Sequence, residues 1–524
     1  MNERAGKWCG AIYVAIVSTV ALFFRFRFGG DFLAFYEDDF FYYLKVAQNI
    51  AAHGVSTFDG IHLTNGYHPL WMVVMVGAFK IAPSGGFYLL QAISVLSVLC
   101  VYWFSYLCLR MEQDWIKSLS GAVLLATFSV VLASTGMEVI LTLPLVLLWI
   151  WYRLRPEFQW TNAQVVVWAL LGSLVVLSRL DAAFLILLVF VLDGLGQRFT
   201  LRQWVERGGI YTLGSWLVVV YLALNIWIFH SATPVSGKAK QLRWHHWPSL
   251  SSIKSFFFPL TERIHIELSV PGTIAAICVL MLLVVPALGN RSPKRFLFFG
   301  LTAFPFFYIF LLSCLTDWPN GGWSWYDYIF VFPIFSFMFL FRWPGKRVFA
   351  ALAVAMVLLL NTAIAAKLLT QVPEPGGVAK QGSYGVYATG KWLAEFSQSH
   401  PGNYAIGDRA GAPGYLMHEP VMQLEGLMMD AQYLKVLRTQ RDLNQVLRDY
   451  DIRYYVSTNA KLDNGCYVTS EPAKAGKDSP KMTGRFCSAP IGSYRYFSPG
   501  KSGGAFTTLV FDLRREAALR RPAN

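Results

Sequence analysis

Residues 35–71 read F-Y-E-D-D-F-F-Y-Y-L-K-V-A-Q-N-I-A-A-H-G-V-S-T-F-D-G-I-H-L-T-N-G-Y-H-P-L-W. Three consecutive carboxylates, Glu37, Asp38 and Asp39, follow directly on an apolar run, 8–28, that is long enough to cross a bilayer. A helical pattern over 40–52 comes next. The loop after it carries His53, His62 and His68 and ends on Pro69 and Trp71. A carboxylate at a helix start favours the helix dipole, which accounts for one of the three acids and leaves two. Charge beside a bilayer is costly and usually functional.

Working outward, the chain has 524 residues, of which 55% are hydrophobic and 15% charged. A soluble protein of this size has roughly a quarter of its residues charged. The mean hydropathy is +0.43, and repeated apolar runs separated by short basic loops predict a polytopic membrane protein. The net charge of +14 has a topological explanation and does not point to nucleic acid. The run 8–28 is too long for a signal-peptide core and lacks a small-residue cleavage site, so it is expected to stay as an anchor. Cys9, Cys100, Cys108, Cys278 and Cys314 fall in or beside apolar runs and read as buried small hydrophobes. Cys466 and Cys487 lie in a polar region; a bond between them implies an oxidising compartment.

Basic residues set the register of the spans. Arg4 and Lys7 place the N-terminus in the cytoplasm. Arg25 and Arg27, at the far end of the first run, break the rule and leave two readings open, snorkelling to the interface or serving a site. The segment 69–82 is shorter than the ~20 residues that cross a bilayer. If it spans, every later basic loop moves outside. If it lies in the interface, the cations at 110, 117, 153, 155, 198, 202, 207, 291, 294, 295, 342, 346 and 347 all fall inside. The second reading gives about eleven spans: 8–28, 87–109, 116–134, 137–152, 165–178, 182–195, 210–229, 271–288, 296–315, 326–341 and 349–366. The outer face then collects the loop 29–71, the turns at 136–138, 179–181 and 316–325, the loop 230–270 and everything after residue 366.

The expected architecture is therefore an all-α membrane domain over 1–366 and an extracytoplasmic α/β domain over 367–524. In the tail, a helix is expected over 384–398, short strands near 404–406, 421–424, 452–456 and 506–513, and a helical run over 433–448. About 150 residues suffice for a core of their own. No internal repeat is visible.

Several residues compete for chemistry on the outer face. Asp38 and Asp39 are candidates for a general base, which takes a proton from an attacking hydroxyl. Glu138 opens a span after Ser134 and Thr135 and reads either as a capping acid or as a second site carboxylate. Arg179 and Asp181 share a short turn, where they either pair with each other or bind substrate. His53, Tyr67 and His68 are candidates for hydrogen bonding or phosphate contact. Imidazoles and carboxylates also ligate divalent ions, but their spacing here matches no metal motif, and no metal ligand is assigned. Lys238 and Lys240 oppose the usual charge bias. With Arg243, Trp244, His245, His246 and Trp247 they form a basic, aromatic patch suited to a lipid phosphate or to snorkelling. Asp317, Trp318, Trp323, Trp325, Tyr326 and Asp327 form the last outer turn, where aromatic density suits sugar stacking or an interfacial belt.

The ordered set resembles the GT-C superfamily of polyprenyl-phosphate-sugar-dependent glycosyltransferases, in particular the mycobacterial terminal arabinofuranosyltransferases and bacterial mannosyltransferase-like proteins. The residues that carry the resemblance are Asp38-Asp39-Phe-Phe-Tyr-Tyr, with Ala47, Asn49, His53 and Gly54, then Gly66-Tyr67-His68-Pro69-Leu70-Trp71, Thr135-Gly-Met-Glu138, Ser178-Arg-Leu-Asp181 and Pro234 through Lys240. In the tail they are Ala405-Ile-Gly-Asp408, Gly411 and Leu424-Glu-Gly-Leu427. The resemblance implies a GT-C membrane domain with juxtamembrane helices in a bacterial inner membrane. It implies an inverting transfer from a lipid-phosphate sugar to a glycan or lipid-glycan acceptor. Asp38 is then first choice as base, Asp39 second, and Glu138 a second outer-loop acid. Relatives commonly carry Tyr-Arg-Tyr where this chain has Tyr326-Asp327-Tyr328, so a donor-phosphate cation has to come from Lys238, Lys240 or Arg179. A flippase for lipid-linked glycans would place polar groups along the membrane midplane. A non-catalytic scaffold would use its tail to bind glycans.

Overall fold

A computed structural model describes residues 2–242, 294–315, 324–341, 345–370, 382–473, 479–497 and 505–519. The expected span 271–288, the patch 243–247 and Asp317, Trp318 and Trp323 lie outside the described residues.

The N-terminal region is helical. Helix α1 covers Glu3–Phe23 and continues into a 3-10 stretch, Phe24–Phe35. Next come α2, Asp38–His53; α3, Pro69–Ile81; α4, Gly86–Leu109; and α5, Trp115–Ala133. They are followed by α6, Val139–Leu154; α7, Asn162–Ser178; α8, Ala183–Gly196; α9, Leu201–Gly214; α10, Trp216–Phe229; and α11, Val235–Gln241. Beyond these lie α12, Arg295–Leu315; a 3-10 turn, Ser324–Phe330; α13, Val331–Leu340; and α14, Lys346–Thr370.

Among the described residues, five helices are long and apolar enough to cross a membrane, and α9 with α10 makes a sixth candidate bent by 57°. The expected count near eleven is not reached among the described residues: several apolar helices, α6 and α7 among them, stop short of span length, and the expected span 271–288 lies outside those residues. Helix α3 has 13 residues, about 20 Å of rise, less than the roughly 30 Å of a bilayer's hydrocarbon core. Pro69 starts it, supplying a fixed φ where no backbone donor is needed.

The tail is α/β, and its two sheets split its strands. Helix α15 covers Gly382–Ser399 and α16 covers Gly411–Leu416. Strands β1 (Tyr404–Ile406), β2 (Val421–Gln423) and β3 (Tyr454–Ser457) pair in parallel in the order β2-β1-β3. Strand β8 (Ala505–Asp512) joins antiparallel to β3, and β7 (Gly492–Phe497) lies outside it. A separate antiparallel sheet holds β4 (Lys461–Asp463), β5 (Cys466–Glu471) and β6 (Met482–Phe486). Cys466 and Cys487 form a disulfide. The expected single helix over 433–448 is two, Ala431–Arg438 and Leu443–Asp449, each started by an aspartate cap.

Strand alternation joins the tail to the helices. Successive side chains point to opposite faces. Tyr404, Ile406, Tyr454 and Val456 share one core with the membrane helices and with α15. Ala405, Tyr455 and Phe511 face a second core, lined by the two short helices and Phe486. Two glycines make close contacts across the junction. A Cβ on Gly66 would meet the Leu427 carbonyl, and one on Gly411 would meet the backbone of Asp38.

Candidate functional site

Helix α2 begins at the acidic cluster and ends on Gly54, whose φ of 72° closes the helix in the left-handed region. Phe40, Phe41, Leu44, Val46 and Ala47 are buried and fix which way α2 faces. Asp38 and Asp39 occupy its first turn, where the helix dipole favours them. Consecutive helical residues project about 100° apart, so the two carboxylates serve different neighbours. Asp38 accepts hydrogen bonds from the Gly411 amide at 3.1 Å and the Ala412 amide at 2.9 Å. It thereby ties α2 to the tail. Burial pushes its carboxyl up to about 7, against the pull of the two amides; Asp39 and Asp408 add to the rise.

Asp39 is half-buried, and Tyr43 lies one turn further along the same face. The Tyr43 hydroxyl accepts the His68 amide at 3.1 Å. Burial holds this phenol well above its ordinary range, and the charges of Glu138 and Asp39 add to that effect. Tyr43 therefore connects the first acidic turn to a second cluster.

That cluster is built from four separate elements. Glu138, 1% exposed, precedes α6 and forms an ion pair with Arg179, also 1% exposed, which follows α7. Arg179 Nε lies 2.9 Å from Asp181 Oδ1. The Tyr308 hydroxyl of α12 donates to Asp181 Oδ2. The guanidinium packs over Tyr326 at 4.6 Å and Tyr328 at 4.8 Å from the ring centres. The cation over these two rings thus comes from another element, not from the position between them in sequence. Burial raises the Asp181 carboxyl, but Arg179 and the Tyr308 hydroxyl outweigh it and hold the group below its ordinary value.

His68 joins the cluster. Its Nδ1 accepts the Leu180 amide at 3.1 Å, and its Nε2 lies 3.6 Å from Glu138 Oε1. Burial lowers its pKa in spite of the Glu138 charge. The acceptor role of Nδ1 makes this a neutral imidazole with its proton on Nε2. Lys240 lies near enough to add to the lowering.

Lys238 and Lys240 are half-buried on α11. The buried Asn65 sets that helix: its Oδ1 accepts the Val235 amide at 2.9 Å and its Nδ2 donates to Asn225 at 3.2 Å. A cavity of about 300 Å³ opens beside α11, lined in part by Ile61, His62, Asn65, Phe229, Val235 and Asp430.

Three expected site residues are not brought to this cluster. His53 is exposed at the C-terminal end of α2, about 22 Å along the helix from Asp38; there its ring suits the negative end of the dipole. The Tyr67 hydroxyl turns back to Ser56 at 2.7 Å and closes its own loop. Trp325 is buried beside Tyr326 and packs as core. Among the described residues, no group of three or more His, Cys, Asp or Glu is arranged to hold a metal ion.

Sequence reading missed Tyr43, Tyr308 and Tyr328 as parts of the cluster. Tyr308 is an aromatic inside an apolar run, where composition offers no signal; Tyr43 and Tyr328 stand in the quoted motifs, but the sequence gives neither a role. A second ion pair, Arg153 with Asp193 at 2.6 Å, is buried between α6 and α8. It lies at the end of α6 remote from Glu138.

No family model matches the sequence, and no curated protein does. The structure is similar to the apo oligosaccharyltransferase of Archaeoglobus fulgidus, with a TM-score of 0.50 at 12% identity, over 86% of this chain and 69% of that one. The same archaeal enzyme, AglB, in complex with an inhibitory peptide and a dolichol-phosphate, gives 0.48 at 12% identity with the same coverage. The mycobacterial arabinofuranosyltransferase AftD gives 0.42 at 14% identity, over 86% of this chain and 35% of that one. The likeness to the archaeal oligosaccharyltransferase is one of fold, in line with the architecture that the ordered motifs imply.

Proposed function

We propose that this chain is an inverting glycosyltransferase that moves a sugar from a polyprenyl-phosphate donor to a glycan or lipid-glycan acceptor outside the cytoplasm. The observation that carries the reading is the meeting of two acidic elements. The first turn of α2 and the Glu138–Arg179–Asp181 cluster are joined through Tyr43 and His68. Tail residues Gly411 and Ala412 close over the first turn.

Asp39 is the base in this scheme. Both oxygens of Asp38 accept tail amides, so Asp38 positions the tail, and the order suggested by the motif is reversed. The acceptor hydroxyl gives its proton to the Asp39 carboxylate. Its oxygen bonds to the anomeric carbon, the bond from that carbon to the phosphate oxygen breaks, and the lipid phosphate leaves with the electron pair. Attack opposite the leaving group inverts the centre. The phosphate carries its own charge and needs cations more than an acid. Lys238 and Lys240, half-buried on α11, take that role. The Cys466–Cys487 disulfide supports an oxidising, extracytoplasmic tail.

The test is glycan extension in membranes carrying Asp38→Asn or Asp39→Asn. General-base catalysis is worth about 10²–10⁴ in rate, and Asp39→Asn should lose on that order. Full extension by Asp39→Asn overturns the assignment.

A further inference from the structure

Arg25 breaks the charge rule of the first helix, and its surroundings give a reason. It is 1% exposed, in the 3-10 stretch after α1. A buried cation ordinarily pairs with an acid. The partners described for Arg25 are of another kind. One guanidinium nitrogen donates to the Ser134 carbonyl at 2.8 Å. The charge sits 4.9 Å from the ring centre of Tyr36 and 5.5 Å from that of Phe35.

These contacts reach both acidic elements at their roots. Ser134 caps the C-terminus of α5, where the helix dipole is negative, and the turn 135–137 then delivers Glu138. Tyr36 leads directly into α2; its hydroxyl accepts from Gln91 at 2.8 Å, and its ring stacks on Phe40 at 4.3 Å. Phe40 packs against Gly136, whose φ is +75° and where an added Cβ would meet the ring. Arg25, Tyr36, Phe40 and Gly136 thus form one column between the two acids.

We infer that Arg25 is a positioning residue that holds the Glu138 turn and the Asp38–Asp39 turn in register. Its bearing on catalysis rests on the glycosyltransferase reading; its bearing on geometry does not. Lysine keeps a cation and a donor but cannot lay a planar group on a ring. Methionine fills the space and keeps neither.

The experiment is amide exchange on the full chain in nanodiscs, with Arg25→Met, Arg25→Lys and Tyr36→Leu. Tyr36→Leu removes the stack on Phe40 and the ring beside Arg25, while Arg25 keeps its bond to Ser134, which keeps the test open if Arg25→Met does not fold. Arg25→Met should speed exchange about tenfold or more at both 134–139 and 36–42 and leave 179–182 unchanged. Arg25→Lys should restore 134–139 only, and Tyr36→Leu should release 36–42 only. In glycan extension, Arg25→Met should lower turnover with acceptor KM unmoved, and Arg25→Lys should recover part of it. Unchanged exchange at both peptides, or wild-type turnover in Arg25→Met, overturns the inference. If the wild type transfers no sugar while the exchange pattern holds, the enzymatic reading fails and the positioning role stands.

Discussion

Replacing Asp38 with Asn removes its charge and leaves an oxygen for one of the two amides. In the folded chain the carboxyl is held at about 7, because burial opposes ionisation more than Gly411 and Ala412 favour it. In an unfolded chain it ionises near 3.9. The folded state therefore binds this proton more tightly. Its contribution to stability is full below about pH 4 and is lost as pH rises to about 7. The difference amounts to at most about 4 kcal/mol, and solvent reaching the half-buried carboxyl reduces it. D38N has no such slope. It loses one charged hydrogen bond, worth about 1.5–3 kcal/mol, at every pH where the wild type is ionised. Thermal melts in detergent, followed by tryptophan fluorescence from pH 5 to 8, read the effect. Glu471, which burial raises to about 8, titrates in both proteins and cancels in their difference. The wild type should lose stability relative to D38N as pH rises, and level off near pH 7. Parallel profiles would refute the claim that the half-buried Asp38 is held against the tail amides.

Further substitutions probe the rest of the framework. Arg179→Met strands Glu138 and Asp181 without their cation and should cost about 3–5 kcal/mol, seen as a lower melting temperature and poor yield; an unchanged melting temperature would count against the buried network. Gly66→Ala forces a methyl onto the Leu427 carbonyl, so protease sensitivity at the tail junction should rise sharply, while Gly208→Ala, which meets no neighbour, should leave the junction intact. Cys466→Ser with Cys487→Ser opens a loop of 21 residues and should lower tail stability by about 2–4 kcal/mol, measured as exchange protection over β5 and β6.

Much of the architecture is legible because membrane physics is coarse. Span length and basic loops already mark α3 as a helix that cannot cross, and its 13 residues agree with that. Four of the tail strands carry short apolar runs and read correctly. Strands β4 to β7 do not: β4 is fully exposed and β6 alternates buried and exposed residues, so no apolar run announces them. The site divides the same way. Glu138, Arg179, Asp181 and His68 stand out as charged or titratable groups at span ends. What sequence cannot show is that Tyr308 and Tyr328 approach them from other elements, or that the amides of Gly411 and Ala412 close on Asp38 from more than 370 positions away. The misplaced His53 shows the opposite limit. It shares a short motif with the site, but a rigid helix carries it away.

The central claim is that Asp39, between the tail-bound Asp38 and the Tyr43–His68 link, faces the reacting sugar. The most direct measurement is a structure of D39N in nanodiscs with a polyprenyl-phosphate sugar bound. The expected result is the anomeric carbon beside residue 39, with the phosphate against Lys238 and Lys240. A sugar seated on the Asp38 side, or a phosphate held by Arg179 away from α11, would contradict it.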